Sequence, residues 1–137
     1  MKMNTVIFAC VHNAGRSQMA AAFFNALADP ARGRAMSAGT QPADRVNPVV
    51  VEAMRETGVD VSAAVPQKLT AALARQASLL VTMGCGDECP LVPGLRRDDW
   101  PLDDPAGQPL ERVRAIRDDI RRRVHTLVTR EGLSATL

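Results

Sequence analysis

Residues 5–27 read TVIFACVHNAGRSQMAAAFFNAL, and the reading of this stretch decides the fold. Thr5 to Cys10 is a short apolar run rich in β-formers, which reads as a buried parallel strand. From Arg16 to Leu27 the apolar positions Met19, Ala20, Phe23, Phe24 and Leu27 recur at helical spacing, and Asp29-Pro30 stops the helix. Between the two lies CVHNAGRS, Cys10 to Ser17. A cysteine at a strand end, five intervening residues and then an arginine let the backbone curl, so that successive N–H groups converge on one oxyanion. Val11, His12, Asn13, Ala14, Gly15, Arg16 and Ser17 are the candidate anion-binding residues. Cys10 then sits beneath the anion. The helix N-terminus, the fork of Arg16 and a hydrogen bond from Ser17 all favour its thiolate, which makes Cys10 a candidate nucleophile. The plainer alternative is a small buried cysteine at a strand end, with Arg16 starting a solvated helix.

Outward from that stretch, strands and helices alternate. Arg34 to Ala38 reads as a second strand, with Ser37 near the end where loops of a parallel sheet face ligands. Asn47-Pro48 is a cap followed by a first-turn proline, so a second helix is expected over 48–57, ended by Gly58. A short third helix over about 70–76 precedes the apolar strand Leu79 to Met83. The next stretch, Gly84 to Pro90, holds two glycines, a proline and both remaining cysteines, Cys85 and Cys89, and reads as a loop. Arg96 to Trp100 is a short edge strand before a loop with Asp103, Asp104 and Pro105. Finally, Val113, Ile116, Ile120, Val124, Leu127 and Val128 form a stripe at spacings of three and four, giving an amphipathic helix over about 109–130. Its arginines 112, 114, 117, 121, 122 and 123 are expected to be mostly its solvated side, paired in part with Asp118 and Asp119. The pattern implies a three-layer α/β/α fold with a four-stranded parallel sheet. One domain over 1–137 is expected, with about 131–137 as a loose tail.

Composition narrows the function. The chain of 137 residues is 46% hydrophobic, but no run reaches the length of a membrane span or a signal peptide core. No membrane association and a cytoplasmic location are expected. Three cysteines in a reducing compartment read as reactive or buried thiols rather than a disulfide framework. Net charge is +2, and 15 of the 17 basic residues are Arg, many of them beside acids, so no nucleic acid partner is implied. With two histidines in the chain, one of them His125 on the polar face of the last helix, a metal site lacks ligands.

CVHNAGRSQMA, SAGT at 37–40, NPVVVEAM at 47–54, VTMGCGDECP at 81–90 and DWPLDDPAG at 99–107 resemble the arsenate reductases built on the low-molecular-weight tyrosine phosphatase fold. The resemblance spans nearly the whole chain, with the motifs in the same order. It implies strand order 2-1-3-4, which gathers the loops after strands one, three and four on one edge.

On that resemblance the residues fit a redox sequence. Arsenate enters the cradle, the Cys10 thiolate attacks arsenic, and Asp104, the acid directly before Pro105, protonates the departing oxygen. A second thiolate, Cys85 in this reading, attacks the Cys10 sulfur; arsenite leaves with two electrons and a disulfide remains. Cys89, four residues on, can accept that disulfide from Cys85 and pass the oxidation to an external thiol reductant. No bound cofactor is expected. Thioredoxin-coupled relatives carry the second cysteine directly after the apolar pair, whereas Gly84 intervenes here. Relatives coupled to a low-molecular-weight thiol use glutathione or mycothiol with a glutaredoxin-like protein instead, so both reductants stay open. The potassium site of the thioredoxin-coupled type needs a helix-one acid where Ala21 stands, and no potassium is expected. Phosphate and sulfate are the expected analogues of arsenate. Two other functions remain open: a cysteine phosphatase using Cys10 and Asp104, and a non-enzymatic oxyanion- or arsenite-binding module. The absence of Tyr and the Ala106-Gly107 pair after Pro105 favour a small inorganic oxyanion over phosphotyrosine.

Overall fold

β1 (Asn4–Cys10) pairs on both edges, and its last five residues, Val6 to Cys10, are all buried. The computed structural model describes residues 4–84 and 92–135. In chain order the elements after β1 are α1 (Arg16–Leu27), β2 (Gly33–Gly39), α2 (Pro48–Arg55), α3 (Ala71–Ala74), β3 (Leu79–Thr82), β4 (Arg96–Asp99) and α4 (Leu110–Arg130). The sheet order is β2-β1-β3-β4 and every pairing is parallel, as the resemblance implied. Cys10 lies opposite Gly39, Ala9 opposite Thr82, and Thr82 opposite Asp99. All four strands therefore end on one edge of the sheet.

The alternation of β1 divides the core. Val6, Phe8 and Cys10 face a large apolar cluster with α1, α2 and α4, whereas Ile7 and Ala9 face a smaller one with Leu69, Ala74 and Leu80. Phe8 anchors the larger side, edge-on to Phe24 at 6.1 Å and tilted to Trp100 at 5.5 Å between ring centroids. The two layers of helix are thus unequal: three helices on one face, and α3 with its flanking segment on the other. α2 stops two residues before the expected Thr57, because the chain tightens into turns that deliver Gly58 at φ 84°. α3 is a single turn capped by Thr70, whose side chain accepts the Leu73 N–H.

One expectation needs correction. Residues 131–135 are not loose: Gly132, at φ 69°, turns the chain after α4, and Leu133 is buried near Phe24. The Asp29 N–H donates to the Leu133 carbonyl at 2.7 Å, and Ser134 pairs with Ala28. The arginines of α4 lie mostly on its solvated side, as expected, and two of them also tie α4 to α2. Arg114 and Arg117 both reach Glu56 at the end of α2, at 2.6 and 2.8 Å, and Arg117, with only 11% of its side chain exposed, also donates to the Ala53 carbonyl. Arg121 lies over the Phe23 ring, while Arg122 and Arg123 pair with Asp119. His125 is exposed as expected.

The two guanidinium groups hold the Glu56 carboxyl down at about 2, first through the hydrogen bonds from Arg114 and Arg117. A carboxylate depressed in the folded state stabilises the fold above the ordinary range near 4.5 and loses that contribution as pH falls through 2. Glu56→Gln should therefore melt a few degrees below the parent at pH 7, with the gap closing as the pH is lowered from about 4.5 to 2. A gap that stays constant over that window would show that α2 and α4 are not held by this charge.

Candidate active site

The loop after β1 is shaped from outside. The carbonyls of Cys10, Val11, His12 and Ala14 accept the N–H groups of Thr40, Gln41, Ala43 and Asn47 at 2.8 to 3.2 Å. In a trans peptide the next N–H points opposite to its carbonyl, and the described residues contain no cis bond. The amides of Val11, His12, Asn13 and Gly15 are therefore turned away from the 40–47 segment. Among the described residues no acceptor takes the N–H of any residue from Val11 to Arg16. Asn47 serves both sides, donating to Ala14 and capping α2 by accepting the Val49 N–H at 2.9 Å.

Asn13 makes the loop's tightest bend, at φ 51°. That left-handed conformation costs on the order of 1 kcal/mol, and hydrogen bonds of about 1 kcal/mol each offset it. The fully buried Asn13 donates from Nδ2 to Ser17 Oγ at 2.7 Å; its Oδ1 accepts the Gln67 N–H at 2.9 Å and Gln18 Nε2 at 3.2 Å. Ser17 Oγ stands 2.9 Å from Cys10 Sγ, and both residues are buried. Glycines let the parts close. A Cβ on Gly39 would lie 2.6 Å from the Val11 carbonyl oxygen, and one on Gly15 would lie 2.6 Å from Pro105.

Arg16, 6% exposed, donates from Nη1 to the Leu102 carbonyl at 3.1 Å, and its Nη2 lies 3.7 Å from Asp104 Oδ2. Its seat is Gly84, at φ 98°, where a Cβ would come within 2.4 Å of Nη1. Cys10, His12, Ala14, Gly15, Arg16 and Asp104 share one cavity of about 250 Å³, walled further by Ala43, Arg45, Val46, Asn47, Pro48, Pro105 and Ala106. Asp104 is half exposed, and its Oδ1 is held by the Ala106 N–H. Asp103 points elsewhere and pairs with Arg112 at 3.0 Å.

The structure thus brings together Cys10, the 11–17 loop and Asp104. It does not bring Ser37 in: that residue lies off the cavity, with its carbonyl taken by Gln67 Nε2. Cys85 and Cys89 lie outside the described residues. Among the described residues no group of three His, Cys, Asp or Glu side chains could hold a metal, and no helix is long and apolar enough to cross a membrane. Sequence reasoning missed Gln18, Gln67 and the seating role of Gly84. For Gln18 a signal existed, a polar residue inside the buried first turn behind the loop; for Gln67 the contact is made by a backbone N–H and leaves no trace in residue type.

A family model described as low molecular weight phosphotyrosine protein phosphatase matches residues 5–136, and the chain belongs to that family. Within it the similarity runs to arsenate reductases. A Halobacterium salinarum protein whose name proposes that activity is 42% identical over 125 residues, covering 85% of each chain. Arsenate reductase 2 of Staphylococcus haemolyticus is 33% identical over 134 residues, 95% of this chain and all of the relative. Among solved structures, the thioredoxin-dependent arsenate reductase of Corynebacterium glutamicum superposes with a TM-score of 0.80 at 38% identity over 93% of this chain; the match spans 61% of that protein's length.

Two predictions follow from the geometry. Gly84→Ala should push the Arg16 guanidinium off the Leu102 carbonyl and lower kcat/KM for the oxyanion on the order of 100-fold, with the fold kept, as measured by steady-state kinetics and thermal melting. A near-parental rate would mean that Gly84 does not seat Arg16. In single-turnover experiments Asp104→Asn should slow the first chemical step about 100-fold, while Asp103→Asn leaves it within a few-fold; equal losses would remove Asp104 as the acid.

Proposed function

We propose that this chain is a thiol-coupled arsenate reductase in which Cys10 is the nucleophile. One observation carries the reading: a buried thiol 2.9 Å from Ser17 Oγ, at the head of a loop whose amides have no protein acceptor among the described residues. Arg16 and Asp104 line the same cavity, so charge recognition and a proton source stand beside the sulfur. The Cys10 thiolate forms a bond to arsenic as one oxygen departs, and Asp104 supplies the proton that lets that oxygen leave as water. A second thiolate then bonds to the Cys10 sulfur, the sulfur–arsenic bond breaks, and its electron pair stays on arsenic, which leaves as arsenite. Cys85 takes that second role and Cys89 the third, and thioredoxin or a glutaredoxin-like protein with a small thiol returns the disulfide to thiols. A reducing cytoplasm suits this cycle. Phosphotyrosine hydrolysis is the weaker reading, since among the described residues no Phe, Tyr or Trp lines the cavity.

Arsenite release per enzyme, measured without any added thiol, tests the relay. Cys10→Ser should release none. Cys89→Ser should release one equivalent, leave a Cys10–Cys85 disulfide visible by mass spectrometry, and fail to cycle with thioredoxin and its reductase. Cys85→Ser should release nothing until a small thiol is added. Arsenite release from Cys89→Ser with both remaining thiols free would overturn the Cys85 assignment.

A further inference from the structure

We infer that Gln18 is a positioning residue for the Cys10 nucleophile: it fixes the direction of a buried hydrogen-bond chain so that the Ser17 hydroxyl proton is aimed at the sulfur. The inference rests on Cys10 being the nucleophile of the proposed reaction, whatever oxyanion it attacks.

Amide groups can be turned over without changing shape, so the direction of such a chain has to be derived from partners that cannot be turned. Two such partners exist here. The backbone carbonyl of Asn13 can only accept, so the Gln18 atom 3.0 Å from it is the NH₂ group. The backbone N–H of Gln67 can only donate, so the Asn13 side-chain atom 2.9 Å from it is Oδ1. The same Gln18 NH₂ lies 3.2 Å from Oδ1, which agrees. Asn13 Nδ2 must then be the atom facing Ser17, and it donates to Oγ at 2.7 Å. Ser17 Oγ, accepting from Asn13, keeps its own proton to give, and Cys10 Sγ stands 2.9 Å away to receive it. A thiolate accepts such a bond more strongly than a thiol sulfur does, so a hydroxyl proton aimed at Sγ favours the nucleophilic form.

Gln18 differs in kind from its neighbours on α1. It is 5% exposed, among Met19, Ala20 and Phe23, where a polar side chain is retained only if it is bonded. Neither of its amide bonds goes to the cavity, and Gln18 does not line it. It acts through Asn13 alone, tying together the backbone and side-chain oxygens of the one non-glycine residue at positive φ among those described. Without it, the Asn13 carbonyl is buried with no partner among the described residues, and of the groups described only Gln67 still holds the amide that orients Ser17.

The test reads Cys10 directly. Full-length protein is alkylated with iodoacetamide from pH 4 to 9, and the Cys10 peptide is quantified by mass spectrometry, which separates it from Cys85 and Cys89. The charged and titratable groups that share the cavity with Cys10, namely His12, Arg16, Arg45 and Asp104, are left intact throughout. Gln18→Met keeps the length of the side chain and removes its donor. It should move the midpoint of the alkylation profile to higher pH and slow labelling below that midpoint about three- to tenfold, the range set by one buried hydrogen bond. Gln18→Glu, which offers no N–H once ionised, should move it the same way, and it serves if the methionine variant melts below the assay temperature. Ser17→Ala should produce a shift of its own, and adding Gln18→Met to it should add nothing, because the chain from Gln18 reaches the sulfur only through Ser17. An unchanged profile in both Gln18 variants, or a Gln18→Met shift of equal size in the Ser17→Ala background, would overturn the inference. None of these readouts depends on arsenate, so a failure here is distinct from a failure of the reductase reading.

Discussion

Four carbonyl oxygens determine what the loop after β1 can hold. Once Cys10, Val11, His12 and Ala14 have given their oxygens to the 40–47 segment, peptide planarity leaves no choice about where the following N–H groups point. A row of donors without protein acceptors becomes favourable when an anion completes it. The proposed anion site is therefore as much a property of the β2–α2 connection, which supplies the outer bonds, as of the cysteine loop. The sheet order makes this work, since β2 lies beside β1 with Gly39 opposite Cys10.

Much of this was legible in the sequence. The strand ending in Cys10 and the helix over 16–27 follow from local periodicity, and both elements stand where the pattern puts them. The proline after Asn47 and the stripe from Val113 to Val128 did the same for α2 and α4. Asp104 could be separated from Asp103 by its proline, and the structure puts only Asp104 at the cavity. What stayed hidden involves partners far apart in the chain. Gly84 looked like a loop residue that merely displaced Cys85, yet its missing Cβ is the space that the Arg16 guanidinium fills. Nothing near Gln67 in sequence suggests that its backbone N–H reaches Asn13, 54 positions earlier.

The arginines of α4 show why charge runs are hard to read in one dimension. Periodicity correctly put them off the apolar stripe, but the flank of a helix is also where a neighbouring helix can touch it. Arg114 and Arg117 meet Glu56 there, two guanidinium groups on one carboxylate, and so fix the far end of the helix whose near end Asn47 caps at the cavity wall. Likewise Leu133 does not look like core from its sequence neighbours, and only the turn at Gly132 delivers it beside Phe24.

The central place of β1 bears on how the molecule comes into being. β1 has β2 on one edge and β3 on the other, so its second edge stays open until Leu79 to Thr82 has left the ribosome. Arg16, made early, has no resting place for its guanidinium until Gly84 and Leu102 exist. The apolar cluster around α1 closes later still, when Trp100 and the stripe of α4 have been added. The proposed chemistry at Cys10 therefore waits for residues about seventy to ninety positions further along the chain, and the thiol is carried unassembled until then.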